Sequence, residues 1–455
     1  MMTERPVLGW SDLAGKRVGV WGFGREGGAN LRKLRSLGVE PVLVDDDPAE
    51  GAGEVLRTAD GGLDALLKCD VVVKTPGLSR YRPEADRLRD AGVVLAGGLG
   101  LWLAEADRER VVVVTGTKGK STTSSIIGHL LNGLGQRAAV GGNIGVCPYD
   151  PDLAAEKPDY WVVEVSSYQA TDLAVTPPVT ALTSLHPDHL PWHGDVERYY
   201  RDKLSALSRP GAALTVANGD EPLIRERVAL LGPRVEWVGE DDDPGATWME
   251  PLHLPGRHNR RNALIARAVL RALGIPGASG DTAPRASGER AARASGDTAL
   301  RAAAEGYEGL PSRLKEIGVV AGVRFVDDSL STNVLPTLAA LDAFPGERVA
   351  LIVGGQDRGI DYAELAEAVG GRQAPTSVRT LPDSGPRISR ALKAAAPGTS
   401  VVDCPGLEEA VRDGFEWARP DGVVLLSPAA PSFGRFRDYR DRGDAFARAM
   451  RNLDI

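Results

Sequence analysis

The sequence predicts an α/β protein of several domains, each built on a mostly parallel sheet, and two observations support this prediction. Short runs rich in Val, Ile and Leu alternate with longer helix-like segments along almost the whole chain. Strands that are apolar at every position are typical of parallel sheets with helices on both faces. The chain has 455 residues, which corresponds to roughly three domains of about 150 residues each. The clearest apolar runs are residues 17–21, 41–45, 70–74, 111–115, 160–165, 348–353 and 422–427.

Bulk composition argues against several classes of protein. Hydrophobic residues make up 42% of the chain and charged residues 25%, which is typical of globular domains. The net charge of -8 argues against general nucleic-acid binding, which needs a positive surface. Three scattered cysteines, Cys69, Cys147 and Cys404, form no CxxC pair, so neither a zinc site nor a disulfide framework is indicated. With no signal-type apolar start and no run of about 18 apolar residues, we expect a cytoplasmic protein without membrane insertion.

The first domain, residues 1–108, begins with a glycine-rich turn. Gly22, Gly24 and Gly27, in WGFGREGG, follow an apolar strand and open a helix. An acidic cluster at residues 45–47 closes the next strand about twenty residues later, as in dinucleotide-binding βαβ units. The pattern predicts a Rossmann-like domain, and by itself it also suits an NAD-dependent oxidoreductase.

The second domain, residues 109–308, opens with VVVVTGTKGKSTT, a strand followed by a phosphate-loop pattern. Gly116 and Gly119 free the backbone to curl, so that N–H groups and a helix start face an anion. Lys120 can then reach terminal phosphates, and Ser121 or Thr122 can offer a hydroxyl to magnesium. Only two residues separate the glycines, unlike a standard Walker A motif, and a Gly-Lys-Ser turn without nucleotide is the alternative. We predict a P-loop-type ATPase domain with a mostly parallel sheet.

Ionisable residues further along this domain are candidates for the same site. Glu164 ends the apolar strand WVVE, where a carboxylate needs a partner, either magnesium or a buried Lys or Arg. His186, His189 and His193 lie in SLHPDHLPWHG, which fits a zinc site, a solvent loop, or a nucleotide or magnesium site. Lys203 lies on a predicted helix and would by itself be read as a surface lysine.

An octapeptide repeat interrupts this domain at residues 278–301, with the units ASGDTAPR, ASGERAAR and ASGDTALR. Eight residues are too few for a solenoid unit, and the composition offers little to bury. We expect a flexible, poorly packed insertion that can be deleted without loss of activity. A third block of strands and helices, residues 309–455, predicts a second Rossmann-like domain.

Several motifs in fixed order resemble the Mur ligases, over essentially the whole chain except the repeat. The motifs are GTKGKST, EVSSYQ, HPDHL…YYRDKL, NGDE, PGRHNRRNAL, PSRL, DDSLSTN, VGGQDRG and SPAAPSFGRFRDYRDRG. Within the family, the chain looks like the glutamate-adding enzymes. The resemblance implies that the first domain binds a UDP moiety, the second binds ATP, and the third binds the amino acid.

The implied reaction belongs to peptidoglycan synthesis and requires ATP and Mg²⁺. ATP phosphorylates the carboxylate of UDP-N-acetylmuramoyl-L-alanine, the amine of glutamate attacks the acyl phosphate, and phosphate leaves. The family's functional positions fall on residues of this sequence. The ATP-loop positions are Gly116, Thr117, Lys118, Gly119, Lys120, Ser121 and Thr122. Magnesium ligands are expected at Ser121, Glu164, His189 and Lys203, the last as a carbamate. Catalytic roles are expected for Lys120, His189 and Lys203.

The same resemblance implies contacts with the remaining parts of the substrates. Positions beside the UDP-sugar substrate are Gly77, in TPG, and Asn143, in GGNIG. Adenine contacts correspond to Asn259 and Asn262, and approaches to ATP from the C-terminal domain correspond to Arg313 and Asp328. Glutamate contacts correspond to Thr332, Arg358, Ser432, Phe433 and Tyr439.

Three positions depart from the usual glutamate-adding pattern. Lys118 stands where the family has Asn, and Leu330 and Arg358 stand where it has Lys. The last two alter the expected amino-acid pocket, and the motif set looks more like a branch that adds L-glutamate, whose product a separate epimerase then corrects. The same reaction with D-glutamate is the alternative. A folate-extending ligase and an inactive scaffold are more remote interpretations.

Overall fold

The computed structural model describes residues 6–49, 54–153, 157–278 and 289–453, and residues 289–296 are described by their backbone. Three sheets lie in two compact units. The first unit comprises residues 1–251 and 261–307, and the second comprises residues 252–260 and 308–455. Each of the three predicted domains therefore contains one sheet. The boundaries between the domains, after residues 108 and 308, remain predictions. Within the described ranges, no helix combines the length and apolar composition needed to cross a bilayer.

The first sheet has five parallel strands in the order β3-β2-β1-β4-β5. Its strands are β1 (Val18–Trp21), β2 (Val42–Asp45), β3 (Leu56–Arg57), β4 (Val71–Lys74) and β5 (Val94–Gly97). Its helices are α1 (Arg25–Ser36), α2 (Leu63–Leu66), α3 (Pro83–Asp90) and α4 (Gly98–Glu105). The predicted β1-α1-β2 unit is confirmed. Gly27 permits close packing of α1 on the strand end, because a Cβ there would lie 2.1 Å from the carbonyl oxygen of Gly22.

The second sheet has six parallel strands in the order β11-β10-β9-β6-β8-β7. Its strands are β6 (Val111–Thr115), β7 (Ala138–Gly142), β8 (Tyr160–Glu164), β9 (Val179–Leu182), β10 (Leu214–Asn218) and β11 (Val235–Val238). Its helices are α5 (Lys120–Gly133), α6 (Ser167–Ala170), α7 (Leu190–His193), α8 (Val196–Leu204), α9 (Pro222–Arg225), α10 (Arg257–Ala272) and α11 (Glu289–Ala304). The parallel sheet predicted for the phosphate-loop region is confirmed.

Helix α11 corrects the expectation for the octapeptide repeat. Residues 279–288 of the repeat lie outside the described residues, but residues 289–301 are helical. Leu300 and Ala303 are buried, and Ala303 packs against α5 at Gly133. Asp297 also pairs with Arg267 of α10, with 2.8 Å between nitrogen and oxygen. The prediction of a flexible, unpacked insertion is wrong for residues 297–301, because its alanines favour a helix whose end supplies the apolar contact. Deletion of the repeat without loss of activity stays a prediction.

The third sheet, in the second unit, has six strands in the order β12-β13-β17-β14-β15-β16, and only β12 is antiparallel to its neighbour. Its strands are β12 (Lys315–Val320), β13 (Val323–Asp327), β14 (Val349–Val353), β15 (Thr376–Thr380), β16 (Ser400–Asp403) and β17 (Val423–Leu426). Its helices are α12 (Val334–Asp342), α13 (Ala363–Gly371), α14 (Gly385–Ala395), α15 (Leu407–Ala418) and α16 (Tyr439–Arg451).

Strand β14 shows why the predicted strands are apolar at every position. Val349, Leu351 and Val353 pack into one core cluster, while Ala350 and Ile352 pack into the cluster on the other face. Side chains alternate between the faces of a strand, so both faces of this sheet are covered. The predicted mixed α/β class with mostly parallel sheets is confirmed.

Candidate active site

The candidate site of the first unit lies where the strands next to β6 end. Strand β6 pairs with β8 on one side, placing Val114 opposite Glu164, and with β9 on the other, placing Thr115 opposite Leu182. The carboxyl ends of parallel strands share one sheet edge, so the segments after β6, β8 and β9 converge there. Crevices at this edge are the usual ligand sites of open α/β sheets.

The phosphate-loop glycines adopt conformations that other residues rarely reach. Gly116 has a φ of 145° and Gly119 a φ of 83°. A Cβ on Gly116 would lie 2.1 Å from the hydroxyl oxygen of Thr183, so this position excludes a side chain. The loop therefore passes tightly over the end of β9, and α5 begins directly after it at Lys120. A backbone held in this way at a helix start is suited to bind phosphate oxygens.

Hydrogen bonds from the segment after β9 fix the loop. The amide of Lys118 donates to the hydroxyl of Ser184 at 2.8 Å, and the Thr117 hydroxyl lies 2.8 Å from that of Tyr199. Lys120 donates from its ammonium group to the carbonyl of Thr117 at 3.1 Å. The loop geometry is thus fixed within the unit itself.

Glu164 is a buried carboxylate at the end of β8 with two hydrogen-bond donors. The Ser121 hydroxyl donates to one carboxylate oxygen at 2.5 Å, and the Asn143 side-chain amide donates to the other at 2.6 Å. Among the described residues, no Lys or Arg forms an ion pair with Glu164, so the alternative of a buried salt bridge has no support there. The structure brings Ser121, Asn143 and Glu164 together at the first turn of α5.

Lys203 is a buried lysine of α8 and lies on the phosphate loop. Its side chain is 2% exposed, and its ammonium group donates to the carbonyl of Gly116 at 3.0 Å. Burial, and then the neighbouring charge of Lys120, lower the pKa of Lys203 well below its usual range. The interpretation as a surface lysine is wrong, because the buried face of α8 packs against this loop.

The three histidines of the loop after β9 have separate surroundings. His186 pairs with Glu221 at 3.2 Å, and the fully buried His193 pairs with Asp202 at 2.7 Å. His189 has a φ of 54° and a half-exposed ring. Among the described residues, no three His, Cys, Asp or Glu side chains gather closely enough to hold a metal ion.

Of these histidines, His189 is the one near the loop lysines. Partial burial lowers its pKa, and the nearby charges of Lys203 and Lys118 act in the same direction. Asp188, beside it, pairs with Lys118 at 3.5 Å. The structure therefore brings Lys118, Lys120, His189 and Lys203 together, as the sequence predicted for a single site.

Sequence reasoning missed the groups that join the first two sheets. The indole N–H of Trp192 lies 3.2 Å from the carbonyl oxygens of both Pro76 and Gly77, in the TPG turn after β4. Lys74, fully buried at the end of β4, pairs with Asp172 at 2.7 Å. Gly77 is thus held next to the loop that carries His189. A lysine at the end of an apolar strand indicates that a carboxylate partner exists, but the sequence does not show which carboxylate it is.

The second unit holds the residues predicted to contact glutamate. They follow neighbouring strand ends: Thr332 comes after β13, Arg358 after β14, and Ser432 and Phe433 after β17. Tyr439 opens α16. Thr332, Arg358 and Phe433 are exposed, whereas Ser432 is buried. Arg358 donates to the side-chain oxygen of Gln356 at 3.1 Å.

The nucleotide positions predicted outside the loop are divided between the units. In the second unit, Asp328 is buried and accepts hydrogen bonds from the Ser427 hydroxyl at 2.7 Å and the Leu314 amide at 3.1 Å. Burial raises the pKa of Asp328 to about 7. Asn259 and Arg313 also belong to this unit, whereas Asn262 belongs to the first. A Cβ on Gly119 would lie 2.9 Å from the Asn262 side-chain oxygen, so Asn262 adjoins the phosphate loop.

Comparison with known proteins defines the class. Residues 114–250 match the family profile described as Mur ligase middle domain, and residues 312–430 match the one described as Mur ligase, glutamate ligase domain. The chain belongs to the Mur ligase family, as its motifs predicted. The oxidoreductase interpretation of the glycine-rich first domain is therefore not supported.

Particular relatives are similar over nearly the full length. A protein of Micromonospora sp. named UDP-N-acetylmuramoyl-L-alanine–L-glutamate ligase is 41% identical, over 97% of this chain and 98% of its own. Proteins of the same name from Salinispora tropica and Xanthomonas euvesicatoria are 39% and 38% identical, over 97% and 96% of this chain and 99% and 95% of their own lengths.

Solved structures share the fold at low sequence identity. The UDP-N-acetylmuramate-alanine ligase of Thermotoga maritima aligns with a TM-score of 0.56 at 19% identity, covering 96% of this chain and 99% of that protein. A ligase of Acinetobacter baumannii that acts on a UDP-muramoyl peptide aligns with a TM-score of 0.52 at 15% identity, covering 92% and 86%.

Proposed function

We propose that the chain is an ATP-dependent ligase that adds L-glutamate to UDP-N-acetylmuramoyl-L-alanine in peptidoglycan synthesis. The observation that carries this proposal is the convergence of Lys120, Glu164 and Lys203 on the glycine loop at the end of β6. The names of relatives 36–41% identical supply the substrates. The backbone amides of the loop would hold the phosphates of ATP, and Lys120 would neutralise their charge.

The donors beside the loop fit a magnesium ion. Glu164 offers a carboxylate and Ser121 a hydroxyl, and Mg²⁺ prefers such oxygen ligands, completed by substrate phosphates and water. Bound there, the ion would neutralise charge on the phosphoryl oxygens. The half-exposed His189 would serve a second magnesium, and its lowered pKa favours the neutral ring that binds metals.

Lys203 has the surroundings that carbamate formation needs. Its lowered pKa favours the neutral amine, which is the form that attacks carbon dioxide. The new N–C bond would release one proton and leave an anionic carbamate whose oxygens could bind magnesium. The lysine already lies 3.0 Å from the loop carbonyl of Gly116, so the carbamate would form beside the phosphate site.

The ligation itself follows from the weak electrophilicity of a carboxylate. Transfer of the terminal phosphoryl group of ATP to the alanine carboxylate gives an acyl phosphate and ADP. The glutamate amine then attacks the acyl carbon, loses a proton, and expels inorganic phosphate. Positive groups at the loop, Lys118 and Lys120 among them, would stabilise the charge that builds on the oxygens during both steps.

The second unit would bind the amino acid at the ends of β13, β14 and β17. Arg358 is exposed and offers a planar guanidinium for a glutamate carboxylate, and Thr332, Ser432, Phe433 and Tyr439 would complete the pocket. The two glutamate enantiomers cannot present both carboxylates to the same anchors while the amine reaches one acyl carbon. The change from Lys to Leu330 and Arg358 therefore fits a pocket with moved carboxylate anchors, and the names of the relatives point to the L-enantiomer.

Two further parts of the proposal concern the cellular setting. An epimerase acting on the product would be needed wherever the D-configuration is required afterwards. A cytoplasmic location agrees with the three cysteines, which are buried and unpaired. Purified product can be tested as an epimerase substrate, and tagged protein can be located by cell fractionation.

The function is tested by ADP release and product mass with each substrate omitted in turn. We expect ligation to require ATP, UDP-N-acetylmuramoyl-L-alanine and glutamate together. Loss of a charged carboxylate contact has an energetic cost on the order of 2–3 kcal/mol, so L-glutamate should be preferred over D-glutamate at least about tenfold. Faster turnover of D-glutamate would reject the stereochemical proposal, and no product with either enantiomer would reject the ligase function.

A further inference from the structure

A cavity in the first unit lies apart from the phosphate loop. It has a volume of about 660 Å³ and lies between the edge strand β5 and helix α8. Small-molecule sites usually have volumes of about 300–1,000 Å³. We call it the arginine cavity, because its wall includes five arginines: Arg80, Arg89, Arg198, Arg201 and Arg209.

Positive charge exceeds negative charge in the arginine cavity. Two carboxylates line it, Asp172 and Asp202, and both have other partners. Asp172 pairs with the buried Lys74 at 2.7 Å as well as with Arg80 at 2.6 Å. Asp202 accepts a hydrogen bond from the Tyr81 hydroxyl at 2.6 Å, and its other oxygen lies 2.7 Å from the ring of His193. A local excess of arginine in a chain of net charge -8 indicates a site for an anion.

Two of the arginines have hydrogen-bond donors that the described residues leave unused. Arg209 is 9% exposed, and its buried Nε has no hydrogen-bond partner among the described residues. Burial, and then the charge of Arg80, lower the pKa of Arg209. Arg201 is exposed and forms no side-chain hydrogen bond or ion pair with the described part of the chain. A buried guanidinium N–H without an acceptor is costly, so an anion that accepts a hydrogen bond from Arg209 would relieve that cost.

Helix α8 separates this cavity from the ligase site. Arg198, Arg201 and Ser205, spaced at i, i+3 and i+7, line the cavity from one face of the helix and its C-terminal end. Lys203 lies on a different face and contacts the phosphate loop. Guanidinium groups bind phosphate oxygens in pairs, and Arg198 also stacks on Tyr81 at 4.9 Å. We propose that the arginine cavity binds a small phosphate-bearing molecule at a site separate from the ligase site.

Pyrophosphate is the simplest probe of this site. Its binding should be measured by titration calorimetry without added metal, using the full chain with Lys120→Ala to weaken the phosphate loop. We expect pyrophosphate binding in that background, and an affinity at least about tenfold weaker when Arg201→Ala is added. Arg87→Ala, an exposed arginine of α3 outside the cavity, is the matched control and should leave the affinity unchanged.

A second variant keeps the test valid if one substitution disturbs packing. Arg209→Lys retains the charge but removes the planar fork, and should also weaken pyrophosphate binding. Absence of pyrophosphate binding in the Lys120→Ala background would overturn the proposal. It would also be overturned if adding Arg201→Ala or Arg209→Lys left the affinity for pyrophosphate the same as in that background. With Lys120 intact, a rise in KM for UDP-N-acetylmuramoyl-L-alanine caused by Arg201→Ala would also overturn it, by assigning these arginines to the substrate. An unchanged KM with weakened pyrophosphate binding supports a separate site.

Discussion

The phosphate-loop region of the first unit and the strand-end region of the second unit differ in how their candidate residues are held. Glu164 and Lys203 are buried and hydrogen-bonded to their neighbours. Thr332, Arg358 and Phe433 are exposed. The difference indicates that the proposed nucleotide site is organised in advance, while the proposed amino-acid site would lose side-chain freedom only when substrate binds. Changes in the first region should therefore have the larger effect on catalysis.

Lys203→Ala should have the largest effect. Loss of the amine removes the proposed carbamate, so we expect ligation to fall at least about a hundredfold with folding retained. A short carboxylate such as acetate in the buffer should restore part of the rate by filling the vacant ligand position. Product formation and circular dichroism check both points, with the exposed Lys68→Ala as control. Wild-type activity in unsupplemented Lys203→Ala would contradict the carbamate proposal.

Glu164→Gln should have the next largest effect. The amide can still accept the hydrogen bond from Ser121, but it no longer carries the charge that attracts a cation. The Mg²⁺ concentration giving half-maximal ligation should rise about tenfold or more. A magnesium titration of the initial rate measures this, with the exposed Glu408→Gln as the matched control. An unchanged magnesium requirement would argue that Glu164 has only a structural role.

Arg358→Lys should have a smaller and more selective effect. Lysine retains the charge but loses the planar pair of donors, so kcat/KM for L-glutamate should fall about tenfold. The KM for ATP should stay constant, because the change lies in the amino-acid region. Steady-state kinetics with each substrate varied separately test this, beside Arg412→Lys on the exposed face of α15. Equal losses for ATP and glutamate would break the proposed division of roles.

The smallest expected effect is that of Asp328→Asn on the pH dependence of thermal stability. Burial raises the pKa of Asp328 to about 7, whereas it would ionise near pH 4 in the unfolded chain. The folded form therefore keeps a proton that the unfolded form loses, and this stabilisation is lost as pH rises from about 4 through 7. Between pH 5 and 8, the Tm of the wild type should fall more steeply than that of Asp328→Asn. Parallel slopes in scanning calorimetry would contradict the raised pKa.

Local patterns in the sequence were enough to predict the parallel sheets and much of the phosphate-loop site. Gly116 and Lys120 belong to one motif, and Glu164 ends the strand next to it in the sheet. The bridge from Asp172 to Lys74 was not predictable, because the two residues are 98 positions apart and meet through packing of two sheets. The arginine cavity depends on that same packing. The helix of residues 289–304 was missed because the repeat contains few large apolar residues. Its composition therefore gave no sign that the C-terminal end of the helix would pack against the domain.

The proposed carbamate on Lys203 can be detected directly. Carbon-13 NMR of the full-length protein with ¹³C-labelled bicarbonate and Mg²⁺ should show one protein-bound carbamate resonance. We predict that Lys203→Ala lacks this resonance and that Lys68→Ala retains it. A wild-type protein that is active in ligation under these conditions but shows no carbamate resonance would contradict the proposal that ligation depends on a carbamate at Lys203.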